Sequence, residues 1–334
     1  MSIHRATIKD VAKRAGVSLS TASLALSLKS GVSEMTRQKI MDAAKELDYF
    51  ANASARSLRA AKTRVIGVIV PDITNIFFST MLEMLRLTIE QFGYFLLIGI
   101  TGNKIESEKR YVFEFISRNV DGVICIPMLK YSSDVSHIRH FAEYGIPVVF
   151  LSAAYPEFAA PCVMCDLAKG SYDMTRYLLQ KGLTQMALIA GDRLVDNDYI
   201  AGFKRAFLEQ GLPFDETAIY ESEFSFESAF AVTKKILAQK PEAILAVSDL
   251  MACAAVQAAR AKRLNIPRDI SIVGYDDVLY STINQIQITT VHQPIEEMCK
   301  RATQILIDMI ENEAAGYERE LLEPHIVIRE TTKR

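Results

Sequence analysis

The sequence predicts an all-α helix-turn-helix headpiece followed by an α/β body of two Rossmann-like lobes. Three observations carry that expectation. The first fifty residues hold short helical patterns with start and stop signals around a glycine. From Val65 onward, short apolar runs alternate with amphipathic stretches, and the rhythm restarts at Met186. Charge is also divided: residues 1–64 carry 12 Lys+Arg against 5 Asp+Glu, near +7, and the remaining 26 basic and 35 acidic residues leave about −9.

At 334 residues the chain exceeds what one hydrophobic core supports, so more than one domain is expected. Half of it is apolar and 23% is charged, the balance of an ordinary globular protein. No apolar run reaches the roughly 18 residues needed to span a bilayer, so no membrane partner is expected. The cysteines, Cys125, Cys162, Cys165, Cys253 and Cys299, are odd in number and scattered, and no signal segment opens the chain. A reducing cytoplasm fits. Cys162 and Cys165 have the spacing of a metal half-site, but no second pair completes it, and buried thiols are the expectation.

Thr7-Ile8-Lys9-Asp10 outlines a capping box that starts a first helix. Ile8, Val11, Ala12 and Ala15 make one apolar stripe, and Gly16 can take the left-handed conformation that ends it. Ser18 caps a second helix, whose small Ala22 and Ala25, with Leu26, allow a close crossing. A third helix follows Ser33, with Ile40, Ala44 and Leu47 inward. In such a unit the second helix enters the major groove of DNA and flanking hydroxyls hold phosphates. The groove candidates are Leu19, Ser20, Thr21, Ser23 and Leu24, with core packing the alternative for the leucines; Thr7, Ser18, Ser33 and Thr36 are the phosphate candidates. The basic charge of this end points to the same polyanion partner.

Thr7 through Ser18, with Ser20-Thr21-Ala22-Ser23, resembles the headpiece of LacI/GalR-family repressors. The resemblance implies a homodimer on double-stranded operator DNA, with Leu19, Ser20 and Leu24 at the base-reading positions. Many relatives carry Arg where this chain has Leu24, so that base pair should be read differently. The resemblance further implies that the short helix-competent stretch after Tyr49 becomes a hinge helix on specific DNA, with Leu58 as a minor-groove wedge supported by Asn52 and Arg56. Ala51 stands where relatives often have Pro.

The body runs Val65–Val70, Phe95–Ile98, Val123–Ile126 and Val148–Leu151 read as buried parallel strands, followed by Met186–Ala190, Ala243–Val247 and Ile270–Gly274. The periplasmic sugar-binding proteins share this architecture. The expected division is headpiece 1–50, hinge 51–64 and body 65–334. By analogy the first lobe takes about 65–162 and 292–322, and the second about 165–291 and 325–334.

Ligands of open α/β sheets sit beyond the carboxyl ends of strands. Asp72, Asn75, Phe77 and Phe78 follow the first strand in a segment that resembles the family signature, and Asp249 and Asp276 stand at later strand ends. Core packing is the alternative for the phenylalanines, and helix capping for the aspartates. Tyr199 occupies a position where many relatives grip a ligand with Arg, with Arg193 upstream as a substitute; Ser152 stands where sugar-binding members often have Asp, and Phe224 completes the set. The resemblance implies a small effector, a sugar or related metabolite. The departures leave open a regulator that answers to a protein partner or to no small ligand.

Gly-x-Gly-x-x-Gly after the first strand, a P-loop and Gly-x-Ser-x-Gly are all missing, so neither an enzyme nor a cofactor is expected. Asp134, His137 and His140 have metal-like spacing but read as a polar helix face, and no metal is expected. A periplasmic-type receptor or an enzyme on the same body is the competing class. No leucine heptad follows Pro324, which favours a dimer over a tetramer.

Overall fold

A computed structural model describes residues 6–26, 30–49, 62–127, 134–155, 157–191, 197–283, 285–312 and 319–333. The chain forms two compact units, Met1–Arg64 and Val65–Arg334.

In the first unit, α1 (Ile8–Ala15), α2 (Leu19–Leu26) and α3 (Glu34–Glu46) close a miniature core. The backbone N–H and hydroxyl of Thr7 both donate to Asp10 Oδ2, at 2.8 and 2.7 Å, which fixes the start of α1. Gly16, at φ 64°, ends it, and Val17 N–H donates to the Ala12 carbonyl. Val11, Ala12 and Ala15 meet Ala22 and Ala25 of α2 and Ile40, Ala43 and Ala44 of α3. Alanine at most of these contacts lets the helices approach closely. Arg37 Nη1 donates to the Ala25 carbonyl over 2.8 Å and so satisfies an orphan acceptor in the last turn of α2.

The body begins with β1 (Val65–Val70), α4 (Ile76–Gln91), β2 (Phe95–Ile100), α5 (Ile105–Ser117), β3 (Gly122–Cys125), α6 (Arg139–Glu143), β4 (Val148–Leu151) and β5 (Cys162–Cys165). It continues with α7 (Leu167–Gln180), β6 (Met186–Ala190), α8 (Asn197–Glu209), β7 (Ile219–Glu221), α9 (Phe226–Ile236), β8 (Ala243–Ala246), α10 (Asp249–Ala261) and β9 (Ser271–Val273). The last elements are β10 (Thr290–His292), α11 (Ile295–Asn312), β11 (Arg319–Leu322) and β12 (His325–Val327).

One six-stranded parallel sheet has the order β11-β5-β4-β3-β1-β2, and a four-stranded parallel sheet has the order β7-β6-β8-β9. Helices cover both faces of such sheets, which is why their strands read as continuous apolar runs. On the first sheet, Val68, Ile124 and Val149 pack with Met81 and Leu85 of α4 and Met298 and Leu306 of α11. The opposite face joins Ile69, Val123 and Phe150 to Phe115 and Phe141. The chain leaves this sheet for the second, returns through α11 and β11, and ends against the second, where Ile272 N–H donates to the Thr331 carbonyl. β10 and β12 form an antiparallel pair along these passages.

Two expectations are corrected. Phe95–Ile98 reads as a buried strand, but β2 pairs only with β1 at the sheet's edge, and Phe95 is 73% exposed. Apolar side chains alone do not reveal that a strand lacks a second neighbour. His137 does not lie on a polar helix face. It is buried with Nε2 2.7 Å from Glu108 Oε1, and Tyr155 donates its hydroxyl to Glu108 Oε2 over 2.9 Å. Asp134 instead accepts from Ser136, and the His140 ring lies tilted against Phe113 with centroids 5.4 Å apart. A fully buried carboxylate requires such partners, and they come from separate segments.

Candidate nucleic-acid interface and effector pocket

The headpiece presents α2 with its alanines inward and Leu19, Ser20 and Leu24 outward. Leu19 is 45% exposed and Leu24 38% exposed, so neither is a core residue of this unit. Ser18 Oγ accepts from Thr21 N–H at 3.0 Å and lies 2.8 Å from the Ser20 and Thr21 hydroxyls. Ser33 Oγ accepts from Thr36 N–H at 3.3 Å at the start of α3. Thr7, Ser18 and Ser33 are all exposed and precede helix N-termini, where backbone N–H groups and the helix dipole favour phosphate oxygens. Thr21, Ser23 and Thr36 are half-buried beside them. Asn52, Arg56 and Leu58 lie outside the described residues.

In the body, the segments beyond the carboxyl ends of β1, β4, β6, β7, β8 and β9 carry the remaining candidates. Asp72 Oδ1 accepts from the Thr74 N–H and hydroxyl, both at 2.8 Å, and Asn75 Oδ1 caps α4 by accepting from Phe77 N–H at 3.0 Å. Phe77 and Phe78 are buried with rings 5.4 Å apart at 71°, packed in the core of the first sheet. Tyr199 is buried edge-on against Tyr275 with centroids 4.8 Å apart, and Phe224 packs half-buried against the same core. Ser152 is half-buried with φ 70°. Arg193 lies outside the described residues.

Asp249 and Asp276 are the most constrained of the set. Ser248 rather than Asp249 caps α10, which leaves the Asp249 carboxylate to accept from the Thr290 hydroxyl at 2.6 Å and Val278 N–H at 2.9 Å. Burial pushes Asp249 up to about 7, against the pull of those two donors. Asp276 accepts from Gln293 Nε2 at 2.8 Å; burial and then the charge of Asp249 push it well above the usual carboxylate range. Burial therefore favours the protonated form in both members of this pair. Asp276 and Asp277 have φ 108° and 59°, a costly backbone for residues with a Cβ, and strain of this kind clusters at ligand sites.

Asp277 points elsewhere. His292 Nδ1 lies 3.0 Å from its Oδ2 and Arg329 Nη2 donates to its Oδ1. The bond from His292 and then that from Arg329 lower it to about 2, with burial opposing. Thr290, Gln293, His292 and Arg329 were not among the sequence candidates. Each is remote in sequence from the aspartate it serves, and no local motif marks it.

Cys162 and Cys165 belong to the packed clusters on opposite faces of the first sheet. That alternation keeps them apart, and burial raises both thiols to about 12. Among the described residues there is no cluster of three or more metal-ligating side chains, and no helix is long and apolar enough to cross a membrane.

Residues 7–52 match the model of bacterial regulatory proteins of the lacI family, and residues 175–332 that of a periplasmic binding protein-like domain. The HTH-type transcriptional regulator DegA of Bacillus subtilis is 32% identical over 98% of both chains. The chain belongs to the lacI family. A structure of the lac repressor dimer bound to operator and the anti-inducer ONPF is similar with TM-score 0.86 and 26% identity, over 98% of this chain and 99% of that one. A complex of the transcriptional regulator CelR with cellobiose gives TM-score 0.73 and 27% identity, over 98% and 100%. For this lacI-family chain the two matched regions correspond to the helical headpiece and to the body's second half, and the two solved relatives each cover 98% of it.

Proposed function

We propose that this lacI-family regulator binds operator DNA through α2 as a homodimer, acts as a cytoplasmic repressor, and is controlled by a small metabolite of the sugar class held between the lobes. The presentation of Leu19, Ser20 and Leu24 on the outer face of a capped, tightly packed helix supports this reading above all else. The apolar edge formed by Phe95, Ile98 and Ile100 supports dimerisation through the first lobe. The hinge stretch couples the two functions: lobe closure decides whether paired Leu58 side chains can enter the minor groove. The protein acts by binding, and no reaction is assigned to the pocket.

A second reading has a specific observation behind it. Asp249 and Asp276 are bonded within the protein, and Tyr199 is buried against Tyr275, so a polyol would have to displace existing partners. That favours a regulator answering to a protein or to no small ligand.

The deciding experiment selects genomic fragments on the purified full chain at low ionic strength, with and without sugars. Selective retention of a near-palindromic fragment, altered by a sugar, is the expected result. Retention that no sugar alters supports the second reading, and failure to retain any fragment overturns both.

A further inference from the structure

The second lobe contains a cavity of about 500 Å³ at the amino ends of β6 and β7, the pole opposite the strand ends that carry Asp249 and Asp276. Phe203, Phe207 and Phe214 border it and pack edge to face at centroid distances of 5.2, 5.8 and 5.9 Å, with Phe203 and Phe207 buried and Phe214 half-buried. Thr184, Gln185 and Gln239 stand on the rim. The volume falls within the ~300–1,000 Å³ range of small-molecule sites.

The surroundings hold that shape. Glu242 Oε2 accepts from the N–H groups of Thr184 and Gln185 at 2.8 and 3.0 Å, pinning one side of the mouth. On the other side, Asp215 Oδ1 accepts from Thr217 N–H at 2.8 Å, and Lys204 pairs with Glu216 at 2.7 Å while its Nζ lies 5.4 Å from the Phe214 ring centre. A rim fixed by its own bonds loses little freedom when a ligand enters. Water gains few hydrogen bonds at the half-buried Phe214 ring, whereas an aromatic molecule gains dispersion and edge-to-face contacts there.

The charge of the lining selects further. Among the described residues that line the cavity there is no Lys or Arg, and Asp215 repels anions. Lys204, nearby, is held by Glu216. Phosphorylated or carboxylated compounds therefore meet no counter-ion.

We propose that this cavity is a second small-molecule site, separate from the inter-lobe pocket, for a neutral aromatic compound with a hydrogen-bonding edge. The chain contains no Trp, so the emission of added indole reports the probe without tryptophan background. Titrating indole into the full chain should give saturable binding at one site per chain. Ala218→Phe and Thr184→Leu fill the cavity from different sides, and whichever keeps the wild-type melting transition should weaken indole at least about tenfold, ~1.4 kcal/mol. Indole-3-carboxylate should bind more weakly than indole by a similar factor. Non-saturable binding, unchanged affinity in a folded filled variant, or equal affinity for the carboxylate overturns the proposal. Failure of the full chain to retain any DNA fragment, with indole binding intact, would overturn only the regulator reading.

Discussion

The hydroxyl of Thr290 donates to Oδ1 of Asp249 over 2.6 Å and joins the first turn of α10 to β10, a strand that leads out of the second lobe. This bond sits on a carboxyl group whose proton is held to unusually high pH, and it sets the first expectation.

Asp249 titrates at about 7 in the folded chain, above the ~3.9 of an unfolded aspartate. The folded state therefore binds the proton more tightly. The stability this confers is complete below about pH 4 and is lost as pH rises through about 7. Asp277, lowered to about 2, acts in the opposite sense: its contribution is present above about pH 4 and is lost as pH falls through about 2. Urea midpoints measured at about pH 5 and about pH 8 should show the wild type weakening at the higher pH and the double variant Asp249→Asn, Asp276→Asn changing much less. Equal slopes in the two proteins would refute the assignment.

Replacing Leu19 or Leu24 with Ala should leave folding within about 0.5 kcal/mol, because both side chains are exposed in the headpiece. Operator affinity should fall by about 1–3 kcal/mol with little change on unrelated DNA. Leu24→Arg should shift the preferred base at one position toward guanine. Parallel titrations on operator and scrambled duplexes check all three.

Phe95→Lys places a charge on the open edge of the first sheet, where the native ring is largely solvent-facing. Sedimentation should show more monomer at equal concentration, while circular dichroism remains that of the wild type. Persistence of the dimer would place the subunit contact elsewhere.

Gly202→Ala tests the crossing of α7 and α8. A Cβ there would stand 2.1 Å from the Ala168 carbonyl oxygen and 2.8 Å from the Tyr172 nitrogen, both backbone atoms of α7. The helices would have to separate, at a cost of about 1–3 kcal/mol, read as a lowered thermal midpoint.

The two-part architecture was legible because its signals are local. Thr7, Asp10 and Gly16 mark both ends of α1 within ten residues, and the inward alanines of α2 follow from spacing alone. The strands were legible as apolar runs, but their order was not. The edge position of β2 depends on which strand pairs with β1, and no feature of Phe95–Ile100 encodes that. The same limit applies to the pocket. Asp249 and Asp276 were visible at strand ends, whereas Thr290, Gln293 and Arg329 reach their aspartates from 41, 17 and 52 residues away. His137 read as surface because Glu108, 29 residues earlier, gives no sign in sequence of being its partner.

The return of β11 to the first sheet, followed by the final segment's bonding beside β9, means that neither half of the body is a continuous stretch of polypeptide. A single cut cannot release an intact lobe. A cut just before Arg329 would separate Arg329 from Asp277 and Thr332 from Thr289, so proteolysis there should loosen a region whose other walls were laid down far earlier in synthesis. Translation must pass Thr331 before the second sheet can reach its final packing.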